Sequence, residues 1–204
     1  MKRLVLLRHG QTAWNKVGRV QGGIDTTLDE TGHAQAQAVA PALAAYRPST
    51  LWCSDLSRAA TTAAYVGEAS GLTPVTDRRL REWGFGEREG LTPVEFEAAD
   101  PEAHAAFRQG RYDEVPGAER SEDVRIRVVS ALLEQLDATE DGGVAVAVAH
   151  GAAIKLGVGG LLGWSDAQAV RSLWGMHNCG WAELTLAPGG PARLEAYNRV
   201  TPIS

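Results

Sequence analysis

The segment VAVAVAHGAAIKLGVGGLL (residues 144–162) sets six apolar residues against a histidine and a glycine, then continues with small apolar residues. VAVAVA has the length and unbroken apolarity of a strand buried on both faces, and AAIKLGVGGLL reads as a helix that begins directly after it. The start of the chain repeats the pattern. RLVLL (3–7) is a short apolar run that stops on Arg8, His9 and Gly10, two groups that resist burial followed by a residue without a side chain.

Between and beyond these strands the chain alternates. A loop carrying Gly18, Gly22 and Gly23 leads to an alanine-rich stretch with helical spacing over 29–46, for which Asp29 is the expected N-cap. STLWCS (49–54) reads as a second strand, DLSRAATTAAYVGEAS (55–70) as a helix stopped by Gly71, and TPVT (73–76) as a third strand. Residues 77–117 are polar and broken by glycine and proline, with short helices expected at EFEAAD (95–100) and EAHAAFRQ (102–109). SEDVRIRVVSALLEQLDAT (121–139) returns to helical periodicity, and CGWAELTLAPGGPARLEAYN (179–198) reads as a hairpin turned at Pro188-Gly189-Gly190. Strands alternating with helices imply an α/β three-layer sandwich, a mostly parallel central sheet flanked by helices. Such sheets bind ligands beyond the carboxyl ends of their strands. His9 and His150 therefore belong on one rim.

Composition narrows the function. The 204 residues suit one domain, 1–204, with residues 77–120 as a lid-like insert over the site. A formal net charge of -5 leaves no global basic field to recruit nucleic acid, so any anion must be held by local arginines. No apolar run reaches the roughly 20 residues that cross a bilayer, and VLL is too short for a signal peptide, so no membrane partner and a cytoplasmic location are expected. Cys53 and Cys179 are the two cysteines; they lack metal-like spacing and read as buried thiols in a reducing compartment. No acidic cluster suggests a metal, and neither metal nor other cofactor is expected.

Four places carry chemistry. Arg8 and His9 offer a planar fork of donors and a nucleophilic imidazole at a strand end. His150 and Gly151 stand at a helix start, where unpaired N–H groups suit phosphate. Arg58, in SDLSRAATTA, lies near the start of a helix that also follows a strand. Glu82, in LREWGFGEREG, sits among Trp83 and Phe85, and desolvation by aromatic neighbours is one way to keep a carboxylic acid able to donate. Together they fit phosphoryl transfer through a covalent histidine. The arginines would hold the non-bridging oxygens, His9 would attack, and His150 would bind an equatorial oxygen as a cation or a neutral donor. Glu82 would serve as acid and then as base. Crowding by Arg8 and Arg58 would keep His9 neutral.

RHGQTAWN (8–15) closely resembles the R-H-G-x-T-x-x-N signature of the histidine phosphatase superfamily. RVQGGIDTTLDETGHAQA, SDLSRAATTA, LREWGFGEREGLT and VAHG follow in that family's order. The resemblance implies a phosphoglycerate mutase-like fold and a catalytic core of Arg8, His9, Arg58, Glu82 and His150. Asn15, Gln21 and Gly151 are implied as substrate or phosphate contacts. Mutases of the superfamily usually carry R-H-Y-G just after the glutamate and a longer insertion; WGFGEREG looks like the phosphatase branch. Within that branch the similarity is strongest to phosphatases of glucosyl-3-phosphoglycerate. The implied reaction is metal-independent hydrolysis of a small phosphate monoester, either that compound or a broad range of phosphorylated metabolites. Phosphoglycerate mutase and a non-catalytic phosphate-binding module are the alternatives, and a homodimer is left open. GAER (117–120) departs from the family's G-G-E-S, leaving Arg120 as a pocket cation or a solvated turn residue. WGMHNCGW (174–181) supplies Trp174, Met176, His177 and Asn178 as pocket or plug residues.

Overall fold

The computed structural model describes residues 1–187 and 189–201. In chain order its elements are β1 (Lys2–Arg8), α1 (Ala13–Lys16), α2 (Glu30–Ala44), β2 (Thr50–Cys53), α3 (Ser57–Ser70) and β3 (Val75–Thr76). There follow α4 (Pro93–Ala99), α5 (Pro101–Arg108), α6 (Ser121–Ala138), β4 (Val144–Ala149), α7 (Gly151–Leu161), α8 (Asp166–Ser172), β5 (Trp181–Leu186) and β6 (Ala192–Arg199). The strands form one sheet in the order β3-β2-β4-β1-β5-β6. β1, β2, β3 and β4 pair in parallel; β5 and β6 add an antiparallel edge beside β1.

Strand alternation builds the three layers. In β1, Leu4 and Leu6 point to one face and Val5 and Leu7 to the other, all buried. The Leu4 face packs on α6, α7 and α8 through Val128, Leu132, Ile154 and Ala169. The Val5 face packs on α2 and α3 through Val39, Leu43, Ala63 and Val66. Each fully buried leucine or valine contributes about 1.5–3 kcal/mol, which explains why the central strands carry no polar alternation. The sandwich expected from the sequence is present.

Local chemistry sets the ends. Asp29 caps α2 by accepting from the Gly32 N–H at 2.8 Å, and Gly71, with φ of 73°, closes α3 in the left-handed conformation. The structure also differs from the sequence reading in detail. The loop after β1 contains α1, held by a capping box between Thr12 and Asn15. Of TPVT, only Val75 and Thr76 pair with β2. Helix α8 was not expected; its signal is a capping box of Ser165 and Gln168 around seven residues with only Ala169 buried. The terminal hairpin is present, with Gly189 and Gly190 at its turn; Pro188 lies outside the described residues. Residues 91–118 gather a small core of their own around Phe96, Ala103 and Val115.

Candidate active site

β1 and β4 lie side by side with Arg8 opposite Ala149, so the two His-Gly pairs leave the sheet together. The His9 and His150 rings are 5.1 Å apart between centroids. His9 Nδ1 lies 2.7 Å from the Gly10 carbonyl, which accepts only from a protonated Nδ1; the lone pair is therefore on Nε2, the nitrogen free to attack. His9 lines a cleft of about 210 Å³ with Arg8, Asn15, Gln21, Arg58 and Glu82. His150 and Gly151 are not among the lining residues; the other six sequence-derived residues converge on the cleft.

Each is held by identifiable contacts. Arg58, on the first turn of α3, is fully buried; Nη1 donates to the Ile24 carbonyl at 2.8 Å and Nη2 to the Gly22 carbonyl at 2.9 Å. Arg8 donates through Nη1 to the Met176 carbonyl. Asn15 accepts at Oδ1 from the Thr12 N–H and from Asn178 Nδ2, while Gln21 Oε1 accepts from the Thr26 hydroxyl. These bonds occupy the amide oxygens of Asn15 and Gln21 and leave their NH₂ donors for the cleft. Among the described residues, Arg8 Nε, Arg58 Nε and both ring nitrogens of His150 are buried without a partner. Buried donors without acceptors are costly, and their convergence marks where an anion fits.

Burial and charge act on the imidazoles in the same direction. Burial first, then Arg8 and Arg58, hold His9 well below its ordinary pKa; burial followed by Arg58, His9 and Arg8 does the same to His150. Arginine crowding, expected from the sequence, is thus second to desolvation. Burial also brings Arg58 down to about 10, opposed by the negative charge of Glu82. These shifts leave both imidazoles neutral and Arg58 charged at pH 7.

Glu82 departs from the sequence reading in its surroundings. Its carboxylate accepts N–H groups from Trp83 at 2.9 Å, Ala152 at 3.2 Å and Ala153 at 2.9 Å, the last two in the first turn of α7. The Trp83 indole turns to the Glu119 carbonyl at 2.7 Å, stacks on Phe85 and meets Tyr112 edge to face. Backbone donors hold this carboxyl where an aromatic cage was expected. Gly151 begins α7, and its N–H has no partner among the described residues. At Gly10 an added Cβ would meet the Gly32 carbonyl oxygen at 2.5 Å, so its smallness serves the packing of α2.

Asn178, grouped in the sequence with uncertain pocket residues, reaches the site from the loop before β5. Nδ2 donates to the His9 carbonyl at 3.0 Å as well as to Asn15. Cys179, with φ of 52°, turns its N–H to the Arg8 carbonyl at 3.1 Å. Met176 is buried in the core, Trp174 is 86% exposed, and His177 lines a different cavity with Gln11 and Cys179. Arg120 is exposed at the start of α6 and is absent from the cleft lining. Sequence reasoning missed Thr62, whose hydroxyl accepts the Gly10 N–H at 3.0 Å; its place one helical turn after Arg58 was the available signal. Among the described residues no helix is long and apolar enough to cross a membrane.

An arginine-flanked pair of imidazoles with a carboxylate at a parallel sheet's carboxyl rim belongs to a known class. Residues 4–199 match the model of the histidine phosphatase superfamily (branch 1), and the chain belongs to that superfamily. It is similar to glucosyl-3-phosphoglycerate phosphatase of Mycolicibacterium vanbaalenii, 38% identical over 97% of this chain and 95% of that protein. Metal-independent phosphoserine phosphatase of Arabidopsis thaliana is 36% identical over 74% of this chain and 65% of its own. Among solved structures, mycobacterial glucosyl-3-phosphoglycerate phosphatase in complex with VO3 superposes with a TM-score of 0.90 at 36% identity, covering 97% of this chain and 99% of that one. The chain is a phosphatase of the histidine type, and the mutase alternative is not favoured.

Proposed function

We propose that this enzyme hydrolyses a small phosphate monoester with His9 as nucleophile, and that the cleft's unpartnered donors bind the phosphoryl group. Arg8 Nε, Arg58 Nε and the NH₂ groups of Asn15 and Gln21 take the non-bridging oxygens, with the Gly151 N–H beside them. His9 Nε2 forms a bond to phosphorus as the phosphorus–oxygen ester bond breaks. Protonated Glu82 gives its proton to the leaving oxygen. Water then attacks the phosphohistidine, Glu82 takes the water proton, the phosphorus–nitrogen bond breaks and inorganic phosphate leaves. His150 meets the dianion as a neutral donor or, once the negative charge raises its proton affinity, as a cation. The observation that carries the reading is the fixed Nδ1–H tautomer of His9, which aims the nucleophilic lone pair away from its backbone partner.

Glucosyl-3-phosphoglycerate is the first substrate to test, on the full-length similarity to its phosphatases. The chain reads as one domain with residues 77–120 as a lid: Phe85 lines the cleft, and Gly90 and Leu91 are bonded to Val20 on the facing loop. Two unpaired, buried cysteines support a reducing, cytoplasmic setting.

Brief exposure to labelled ester should give an acid-labile, base-stable adduct, and its persistence in His9→Ala would overturn the mechanism. The kcat/KM values for glucosyl-3-phosphoglycerate, 3-phosphoglycerate and a nucleotide then define the substrate. A lead on the order of 1000-fold for one ester identifies several buried polar contacts, whereas a flat profile identifies a generalist.

A further inference from the structure

Glu82 stands on backbone that belongs to neither helix nor strand: residues 81–84 follow a 3-10 turn at Arg78–Leu80 and precede Phe85. Such a segment has no ladder to satisfy its carbonyls or fix its position. The satisfying group is one side chain from α6. Arg127 donates through Nη1 to the carbonyls of Arg79 at 2.8 Å and Arg81 at 2.7 Å, and through Nη2 to the carbonyl of Glu82 itself at 3.0 Å. The two N–H groups left go to the Glu119 carboxylate, Nε at 2.7 Å and Nη2 at 2.8 Å. A guanidinium has five N–H donors, and here each has an acceptor.

Glu119 completes the frame from the other side. Its carboxylate accepts the Gly84 N–H at 3.3 Å, its carbonyl accepts the Trp83 indole, and its N–H donates to the Gly84 carbonyl at 2.8 Å. Burial pushes the Glu119 carboxyl up, but the hydrogen bonds and charge of Arg127 more than reverse this, so Glu119 is ionised at neutral pH. Arg81 also ties the segment to Asp55 at 2.7 Å, but that pair is more open to solvent than Arg127, at 35% against 19% exposure of the arginine side chain. The Arg81–Asp55 pair is itself bidentate, its second bond also 2.7 Å, but it holds the Arg81 side chain, whereas the Arg127 fork holds the carbonyls of Arg79, Arg81 and Glu82 directly.

We propose that Arg127 and Glu119 are positioning residues for the proton donor: they fix the backbone at Glu82 so that its carboxyl lies at the leaving-group oxygen. This rests on Glu82 being the acid of the proposed mechanism. Neither residue lines the cleft, so their loss should leave phosphate binding intact and misplace the proton.

The test compares Arg127→Ala, Arg127→Lys, Glu119→Gln and Glu82→Ala on p-nitrophenyl phosphate, whose leaving group departs without a proton, and on whichever alkyl ester the wild type hydrolyses best in the substrate comparison, whose alkoxide needs one. The readout is kcat/KM, which reports steps through phosphoryl transfer to His9. A misplacement on the order of 1 Å costs about 100-fold in rate. Arg127→Ala should lose about that factor on the alkyl ester while retaining the aryl reaction within about threefold. Inorganic phosphate should inhibit it as strongly as the wild type. Lysine keeps the charge but cannot span the carbonyls, so Arg127→Lys should show the same split, and with Glu119→Gln it carries the test if the alanine variant fails to fold. Equal losses on both esters, or none on either, would overturn the positioning role. If Glu82→Ala also loses both esters equally, the reading of Glu82 as the acid fails; if it shows the split and the Arg127 and Glu119 variants do not, only the positioning role fails.

Discussion

A buried histidine at neutral pH has two costs to avoid, an unpaired N–H and an unpaired charge, and His9 avoids both. Gly10 takes the Nδ1 proton at 2.7 Å, while burial and then Arg8 and Arg58 keep the ring from gaining a second proton. In the ligand-free protein, ¹⁵N-histidine spectra should show His9 neutral and protonated at Nδ1 at pH values well below 6.5. A resonance titrating at or above the ordinary histidine value would contradict that environment. The same shift has a stability consequence with a definite sign. Below about pH 6.5 the unfolded chain binds protons that folded His9 and His150 refuse, so stability falls as pH falls, by up to about 1.4 kcal/mol per pH unit for each histidine. Denaturant titrations without phosphate at about pH 7 and about pH 5 measure it. His150→Asn should show a shallower decline. Arg8, His9, Arg58, Glu82 and His150 were legible in the sequence because each interrupts a pattern: a charged group ends a strand, begins a helix or sits among aromatics. Asn178 was legible only as one of four pocket or plug residues, because its role depends on a loop that meets His9 across 169 positions of sequence.

The elements meet the site at their ends, where backbone groups are unsatisfied. His150 is the N-cap residue of α7 but spends no side-chain atom on capping; the N–H groups of Ala152 and Ala153 go to Glu82 instead. The start of α2 shows a different constraint. A Cβ on Gly32 would lie 2.0 Å from the Gln11 carbonyl oxygen and 2.8 Å from its nitrogen, both backbone atoms of the loop following His9. No rotamer relieves that contact. Gly32→Ala should therefore destabilise the protein by at least the roughly 1–3 kcal/mol of an overpacked site, and should lower activity by displacing the His9 loop. Thermal melts with and without phosphate check it; an unchanged melting temperature would refute the packing argument. The long helices and central strands were readable because their periodicity extends over whole elements. α8 was not, since seven helical residues with one buried position leave almost no pattern, and β3, read over four residues, pairs over only two.

At the scale of the molecule, a net charge of -5 surrounds a cleft whose lining includes Arg8, Arg19 and Arg58. Arg19 is committed to Glu95 at 2.9 Å, whereas Arg8 and Arg58 retain buried donors with no acceptor among the described residues. Clustering these charges and donors carries an electrostatic cost that an entering dianion relieves. Linkage makes this measurable, since a ligand bound only by the folded state at 100 times its Kd adds about 2.7 kcal/mol. For a domain of this size that amounts to a rise of about 5–10 °C in Tm. Inorganic phosphate should produce such a rise in the wild type. In Arg58→Met the rise should shrink severely, because the variant removes a charge that faces the anion along with the bonds that hold the Gly22 and Ile24 carbonyls. Sodium chloride at matched ionic strength controls for salt acting on the whole surface. An equal shift in both proteins would place the anion elsewhere and detach the cleft's charge from its proposed use.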